Sequence, residues 1–171
     1  MKNIISVLIF SFLAGPTVSI ASDHTTEKSV ECLALNMYYE ARNQGTAGIL
    51  SVSAVVLNRV ADTRFPNTVC GVVEQGPTRP SWKDPKVRFP IKHRCQFSWY
   101  CDGKSDKPKN KKQYKYFKNI ARSLLTKEID FIDITDGAIF YHADYVRPSW
   151  AKTKTKTVEI QDNIFYKWKQ K

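Results

Sequence analysis

The sequence predicts an α+β domain, with helices first and a small antiparallel sheet last. Apolar residues recur at helical spacing in the first half, at Val30, Ala34, Met37 and Ala41, then at Ile49, Val52, Val56 and Val60. Past Asp130 the pattern becomes that of short strands, in "GAIFYHA" and in "TVEI" and "NIFYKW" about Gln161-Asp162. No internal repeat interrupts this order, and segregated helices and strands make an α+β arrangement.

The elements follow in order. Residues 1–21 have a basic start at Lys2, a short apolar run from Ile4 to Leu13 and a small-x-small site at Ser19-Ile20-Ala21. That is the layout of a secretory signal peptide. Residues 22–29 are polar and are expected to be a flexible leader, so the folded domain is expected over 30–171. The first helix is punctuated by Asn43 and Gly45. The second is expected from Thr46 to Ala61. A turn at Arg64-Phe65-Pro66-Asn67 precedes a short helix over Thr68 to Glu74. Gly76 to Arg94 is rich in proline and charge without a period, and is expected to be a long surface loop. Structureless loops of that length are uncommon in compact domains and hint at function. Asp102 to Lys112 reads as a lysine-rich linker. Tyr114, Phe117, Ala121 and Leu124 mark another helix, ending near Thr126. The predicted strands follow. Lys152, Lys154 and Lys156 alternate with threonine on one side of a strand, where they would guard a sheet edge.

Charge and cysteine content narrow the function classes. The chain carries a formal net charge of +11, or +10 once Lys2 leaves with the signal peptide. An exported protein this basic is attracted to polyanions outside the cytoplasm: wall polymers, anionic lipid or lipopolysaccharide. Export argues against nucleic acid as a partner and places the protein in the periplasm or cell wall. No second apolar segment is long enough to span a bilayer. One domain, acting as a monomer, is expected. The four cysteines lie in an oxidising compartment and allow three disulfide connectivities. Cys95 and Cys101 flank "QFSWY" and can close a small loop. Cys32 and Cys70 would then join the first helix to the segment after the second. A thiolate nucleophile or a zinc site is the rival use. The histidines are His24, His93 and His142, with no HExxH and no paired CxxC. No metal and no cofactor are expected.

Glu40 is the residue of greatest chemical interest. It lies three residues after Met37 and four after Asn36, bordering the buried stripe without belonging to it. Most helix glutamates are solvated, and taken alone Glu40 reads as one of them. The sharper alternative puts its carboxyl in the wall of a cleft, with Tyr38 and Tyr39 as a partly dry surround. Desolvation raises a carboxyl pKa and keeps the proton in place near neutral pH. Such a proton can be delivered to a leaving oxygen.

Five segments, "CLALNMYYEAR", "VVLNRV", "FPNTVCGVVEQG", "CQFSW" and "GAIFYHA", resemble in this order the catalytic domain of the spore cortex-lytic, or cell-wall hydrolase, family. The resemblance runs from Cys32 to about Tyr166. It implies a lysozyme-like helical lobe related to lytic transglycosylases, with the small sheet at its C-terminal end. It also implies peptidoglycan glycan strands as substrate, cut between N-acetylmuramic acid and N-acetylglucosamine, with Glu40 of "EAR" as the catalytic acid. The family commonly has "EARGE" where this chain has "EARNQ". Gln44 replaces a carboxylate and Asn43 a glycine, which disfavours hydrolysis by water. Asn43 is expected to cap the next helix instead.

The resemblance also places Gln96, Phe97 and Ser98 in the cleft. The competing view is a disulfide-bounded turn with Phe97 in the core. Trp99 either stacks on sugar or is core, and Tyr39 is the other aromatic expected beside the substrate. Tyr141 and His142 point to opposite faces of a strand, so at most one faces the cleft. Tyr141 is the one expected there, by analogy with the tyrosine near the acid in transglycosylases, with His142 packed and hydrogen-bonded. Arg59 is expected to be an ion-pair residue. Lys104 to Lys118 holds seven lysines and one acid, Asp106. It reads as a solvated face, or as an attraction to the anionic wall. Two other functions fit less of the sequence. One is a peptidoglycan endopeptidase or amidase using Cys95 or Cys101 with His142. The other is a non-enzymatic cationic wall binder.

Overall fold

Thr26 opens the first helix by accepting a hydrogen bond from the Ser29 amide at 3.2 Å. Helix α1 then runs Glu27–Ala41. A computed structural model describes residues 26–169. The expected signal peptide, and residues 22–25 of the expected leader, lie outside the described residues. The rest of that leader is helical: α1 begins at Glu27 and Ser29 is already buried. Its polar composition hid this, because a helix start is itself polar.

Helix α2, Thr46–Ala61, has the predicted bounds. Gly45 is its N-cap, without a side-chain bond. Asn43 therefore does not cap it, since it stands two residues upstream of the cap position. Helix α3, Val69–Val73, is opened by Thr68, which accepts from the Gly71 amide at 3.0 Å. Helix α4, Lys111–Thr126, is opened by Asn110 and closed by Lys127 in the left-handed region, φ 58°. Its first turn takes the end of the expected linker.

Helix α1 packs against α2, α3 and α4. Leu33 and Met37 of α1, Val52 and Val56 of α2, Val72 of α3 and Phe117 of α4 are all withdrawn from water. Burying each large apolar side chain stabilises the fold by about 1.5–3 kcal/mol. The helical stripes of the sequence are thus one core. Both disulfides have the expected pairing. Cys32–Cys70 joins α1 to α3, and Cys95–Cys101 closes a six-residue separation.

The segment Gly76 to Arg94 is not the structureless loop expected. It carries strands β1, Thr78–Pro80, and β2, Arg88–Pro90, paired antiparallel. Three-residue strands full of proline lack the alternating pattern by which strands are recognised. The C-terminal sheet comprises β3, Phe140–Ala143, β4, Lys154–Ile160, and β5, Asn163–Trp168. Its order is β3-β5-β4, all antiparallel. Gln161 takes φ 53° in the tight β4–β5 turn. Lys154 and Lys156 lie on β4, an edge strand, as expected. Lys152 does not, since it belongs to a 3-10 turn over Ser149–Thr153.

Val55 of α2, Ala138 and Phe165 form a small buried seam between helices and sheet. Beside it, α2 grips the chain entering β3. Asn58 donates to the Ala138 carbonyl at 3.0 Å and to Asp133 at 2.9 Å. Arg59 Nε donates to the Ile139 carbonyl at 2.8 Å. These bonds set β3 in position two residues before Tyr141.

Candidate active site

Glu40 sits in the last turn of α1, partly buried, and faces the sheet. Across from it, Tyr141 pairs with Phe165 in the β3–β5 register, the rings stacked at 5.6 Å. The Tyr141 hydroxyl donates to Glu40 Oε2 at 2.7 Å. Strand alternation sends His142 to the other face, as expected. There its ring nitrogens meet the Ala143 carbonyl at 2.8 Å and the Tyr166 hydroxyl at 3.0 Å.

The electrostatics suit a proton donor. Burial pushes the Glu40 carboxyl above its ordinary pKa; the Tyr141 bond and the Arg59 charge pull the other way without cancelling it. Burial, then the charge and hydrogen bond of Glu40, push the Tyr141 phenol well above its usual range, so it stays a donor. Arg59 is 5% exposed and its Nη1 has no hydrogen-bond partner. No carboxylate lies within ion-pair distance of it among the described residues. The expectation that Arg59 is an ion-pair residue is therefore corrected. It clamps β3 by its Nε, lies near the Phe65 and Phe97 rings, and projects its charge toward Glu40.

Glu40 and Tyr141 line two cavities. One, about 270 Å³, is completed by Arg59, Gln96, Ser98 and Trp150. The other, about 420 Å³, includes Tyr39, Arg42, Gln44 and Asp162. Tyr39 and Arg42 in turn line a third, about 540 Å³, against Trp99 and the segment from Asp102 to Lys109. The three share walls in succession, a trough with the carboxyl at its first junction. A larger, mostly apolar hollow of about 730 Å³ lies between the C-terminal ends of α2 and α4 and contains none of the expected residues.

The structure sorts the predicted residues. Gln96 and Ser98 are exposed and line the 270 Å³ cavity, while Phe97 between them is 2% exposed. Phe97 therefore forms a buried wall and has no open face for a sugar. Trp99 is 7% exposed, and its indole N–H donates to Asn36 Oδ1 at 3.1 Å. It is stacked on Tyr39, centroids 4.8 Å apart, so Tyr39 presents the ring and Trp99 supports it. Gln44 accepts from Asn163 Nδ2 at 3.1 Å, tying the turn between α1 and α2 to the sheet. All four cysteines are in disulfides, so no thiol is available to His142.

Arg59, Trp150 and Asp162 were missed as cavity residues. Arg59 had a signal: it lies three residues after Val56 and seven after Val52, on the apolar stripe itself. Trp150 had none, because it follows β3 in an unpatterned segment.

Residues 43–166 match the cell wall hydrolase family. The chain belongs to the cell wall hydrolase family. The match begins three residues past Glu40, so it bears on the fold and not on that carboxyl. Among relatives, the spore cortex-lytic enzyme of Bacillus cereus is 26% identical over 143 residues, 83% of this chain and 45% of the relative. That of Oceanobacillus iheyensis is 26% identical over 153 residues, 89% of this chain and 46% of the relative. The chain thus spans less than half the length of these relatives. The solved catalytic domain of the Bacillus cereus SleB protein is similar at a TM-score of 0.56 and 26% identity, over 83% of this chain and 91% of that one. The catalytic domain of the germination-specific lytic transglycosylase SleB from Bacillus anthracis is similar at 0.58 and 25%, over 83% and 96%. The α+β fold of this cell wall hydrolase, helical lobe and small antiparallel sheet, is that of these domains.

Proposed function

We propose that this cell wall hydrolase cleaves peptidoglycan glycan strands between N-acetylmuramic acid and N-acetylglucosamine, as a lytic transglycosylase with Glu40 as its single catalytic carboxyl. The observation that carries the proposal is the Glu40–Tyr141 hydrogen bond at the junction of two open cavities. The Bacillus anthracis relative, named a lytic transglycosylase, supports it.

The chemistry follows from one carboxyl. Protonated Glu40 gives its proton to the bridging oxygen as the C1–O bond breaks and C1 gains oxocarbenium character. The muramic acid's own C6 hydroxyl attacks C1 and closes a 1,6-anhydro ring. Glu40, now ionised, takes the proton released by that hydroxyl and is restored. The nucleophile is tethered to the sugar it attacks, so no second carboxylate is required. Tyr141 and Arg59 stabilise the ionised glutamate between the two proton transfers. Gln96 and Ser98 offer hydrogen bonds to N-acetyl and hydroxyl groups, and Tyr39 offers an aromatic face. The enzyme would work outside the cytoplasm, in the periplasm or wall.

Purified sacculi test this. Glu40→Gln is expected to abolish clearing with the fold retained, and mass spectrometry of wild-type digests is expected to find 1,6-anhydromuramyl ends. Exposed Asp162, which lines the 420 Å³ cavity, is the obvious base for hydrolysis by water. Asp162→Asn is therefore expected to leave the rate unchanged. Full activity in Glu40→Gln, or reducing ends whose formation depends on Asp162, would refute the mechanism.

A further inference from the structure

The segment between Gly76 and Cys95 lines none of the trough cavities. It is built to project. Its strands pair Thr78 with Pro90 and Arg79 with Phe89, and Ser81 N bonds the Val87 carbonyl at 2.8 Å. Its base is held by Gln96 N to the Gln75 carbonyl at 2.8 Å, by His93 N to the Cys101 carbonyl at 3.0 Å and by the Cys95–Cys101 disulfide. Four prolines, Pro77, Pro80, Pro85 and Pro90, stiffen it. A stiff, stapled hairpin of this length presents something.

What it presents is apolar at the tip and cationic around it. Trp82 is 86% exposed. Phe89 on β2 and Val87, just before that strand, are 47% and 46% exposed. Lys83 and Lys86 lie next to Trp82 in the tip, Arg79 and Arg88 lie on the strands and Lys92 and Arg94 follow toward the base, with Asp84 as the sole acid of the segment. None of these six cations makes an ion pair among the described residues. A linear polyol-phosphate chain would be held by the cations alone and would leave the indole in water. A bilayer of anionic lipid uses both features: the headgroups take the cations and the interfacial zone takes the tryptophan.

We propose that the β1–β2 hairpin is a membrane-docking element, which inserts Trp82 into the headgroup region of an anionic phospholipid bilayer while Lys83 and Lys86 contact the lipid phosphates. Docking is separate from glycan cleavage, because no hairpin side chain reaches the trough. It would hold the enzyme at the membrane face while the trough stays open to the wall.

The test is cosedimentation of the full folded domain with vesicles of pure phosphatidylcholine and of phosphatidylcholine with phosphatidylglycerol, at low and high salt. The protein is expected to bind only the anionic vesicles, with a blue shift of tryptophan emission. Trp82→Ala is expected to weaken partitioning about tenfold and to abolish most of the shift. Lys83→Gln with Lys86→Gln is expected to weaken it roughly thirtyfold, at about 1 kcal/mol per cation near an anionic surface. All three substitutions are exposed, so activity on solubilised glycan should be unchanged. Vesicle binding indifferent to Trp82 and to these lysines would overturn the proposal. So would equal binding to neutral vesicles, or Trp82-dependent binding to wall polymer with none to vesicles. Lys107→Gln with Lys109→Gln serves as the control; loss of binding there alone would assign the attraction to the lysine-rich segment and also overturn it.

Discussion

Tyr141→Phe isolates one hydrogen bond at the proposed catalytic carboxyl. The ring keeps its stack on Phe165, and only the 2.7 Å bond to Glu40 Oε2 is lost. A hydrogen bond to a charged group is worth about 1.5–3 kcal/mol, against about 1 kcal/mol for a neutral one. The ionised carboxylate therefore loses about 1–2 kcal/mol more than the protonated acid does. At 1.36 kcal/mol per unit, the affinity of Glu40 for its proton should rise by about one pH unit in the variant. An acid catalyst works below its pKa, so the alkaline limb of the rate profile should move up by about one unit. The plateau rate should fall about tenfold, because the weaker acid gives up its proton less readily. The assay is clearing of purified sacculi between pH 4 and 9, with anhydro ends counted at each pH. A limb that stays in place, or moves to lower pH, would refute the role given to this bond and with it the account of how Glu40 is tuned.

Arg59 pulls the Glu40 proton affinity the same way as Tyr141 does. Arg59→Met should also move the alkaline limb upward, whereas Arg59→Lys should hold it near wild type at some cost in stability, read by thermal melting. The disulfides should separate stability from activity. In the chain-entropy model, opening Cys32–Cys70, separation 38, costs about 4 kcal/mol, and opening Cys95–Cys101, separation 6, about 2 kcal/mol. The shorter bridge frames Gln96 and Ser98, so the double serine variant there should lose more activity on sacculi while melting at the higher temperature of the two.

Much of the helical lobe was legible because its signal is periodic. Val30 to Ala41 and Ile49 to Val60 repeat at helical spacing, and Gly45 marks the break between them, so α1 and α2 follow from the residues alone. The β4–β5 hairpin was legible for the corresponding reason at period two. The β1–β2 hairpin was not: its strands are three residues long and proline-rich, so they carry no alternating pattern. The site divides along the same line. Tyr141 and His142 were separable because alternation along a strand fixes opposite faces. Trp99 and Phe97 were not, because an aromatic residue in a turn carries no signal for whether it meets substrate or core. Arg59 was misjudged because a cation on a helix suggests an ion pair. Its partner is a backbone carbonyl eighty residues away, visible only after the sheet is docked.

Stability offers a test of Glu40 independent of any substrate. A solvated helix-end glutamate would make Glu40→Gln neutral at every pH. The partly dry setting of Glu40 predicts otherwise. Burial raises the Glu40 pKa in the folded protein above its unfolded value. The folded state therefore holds the proton more tightly, and folding is favoured below the unfolded pKa. That contribution is lost as pH rises through the folded pKa, beyond which the domain carries a destabilising buried carboxylate. Glutamine keeps the acceptor for Tyr141 without the charge. Glu40→Gln should then melt close to wild type at pH 4 and above it at pH 8, the gap opening across the same range in which the wild-type rate declines. A variant that is dead on sacculi yet more stable in alkali is what a carboxyl held for chemistry produces, since a residue kept for the fold would cost stability when replaced. Identical melting curves at both pH values would return Glu40 to the solvated surface, and the trough beside it would lose its acid.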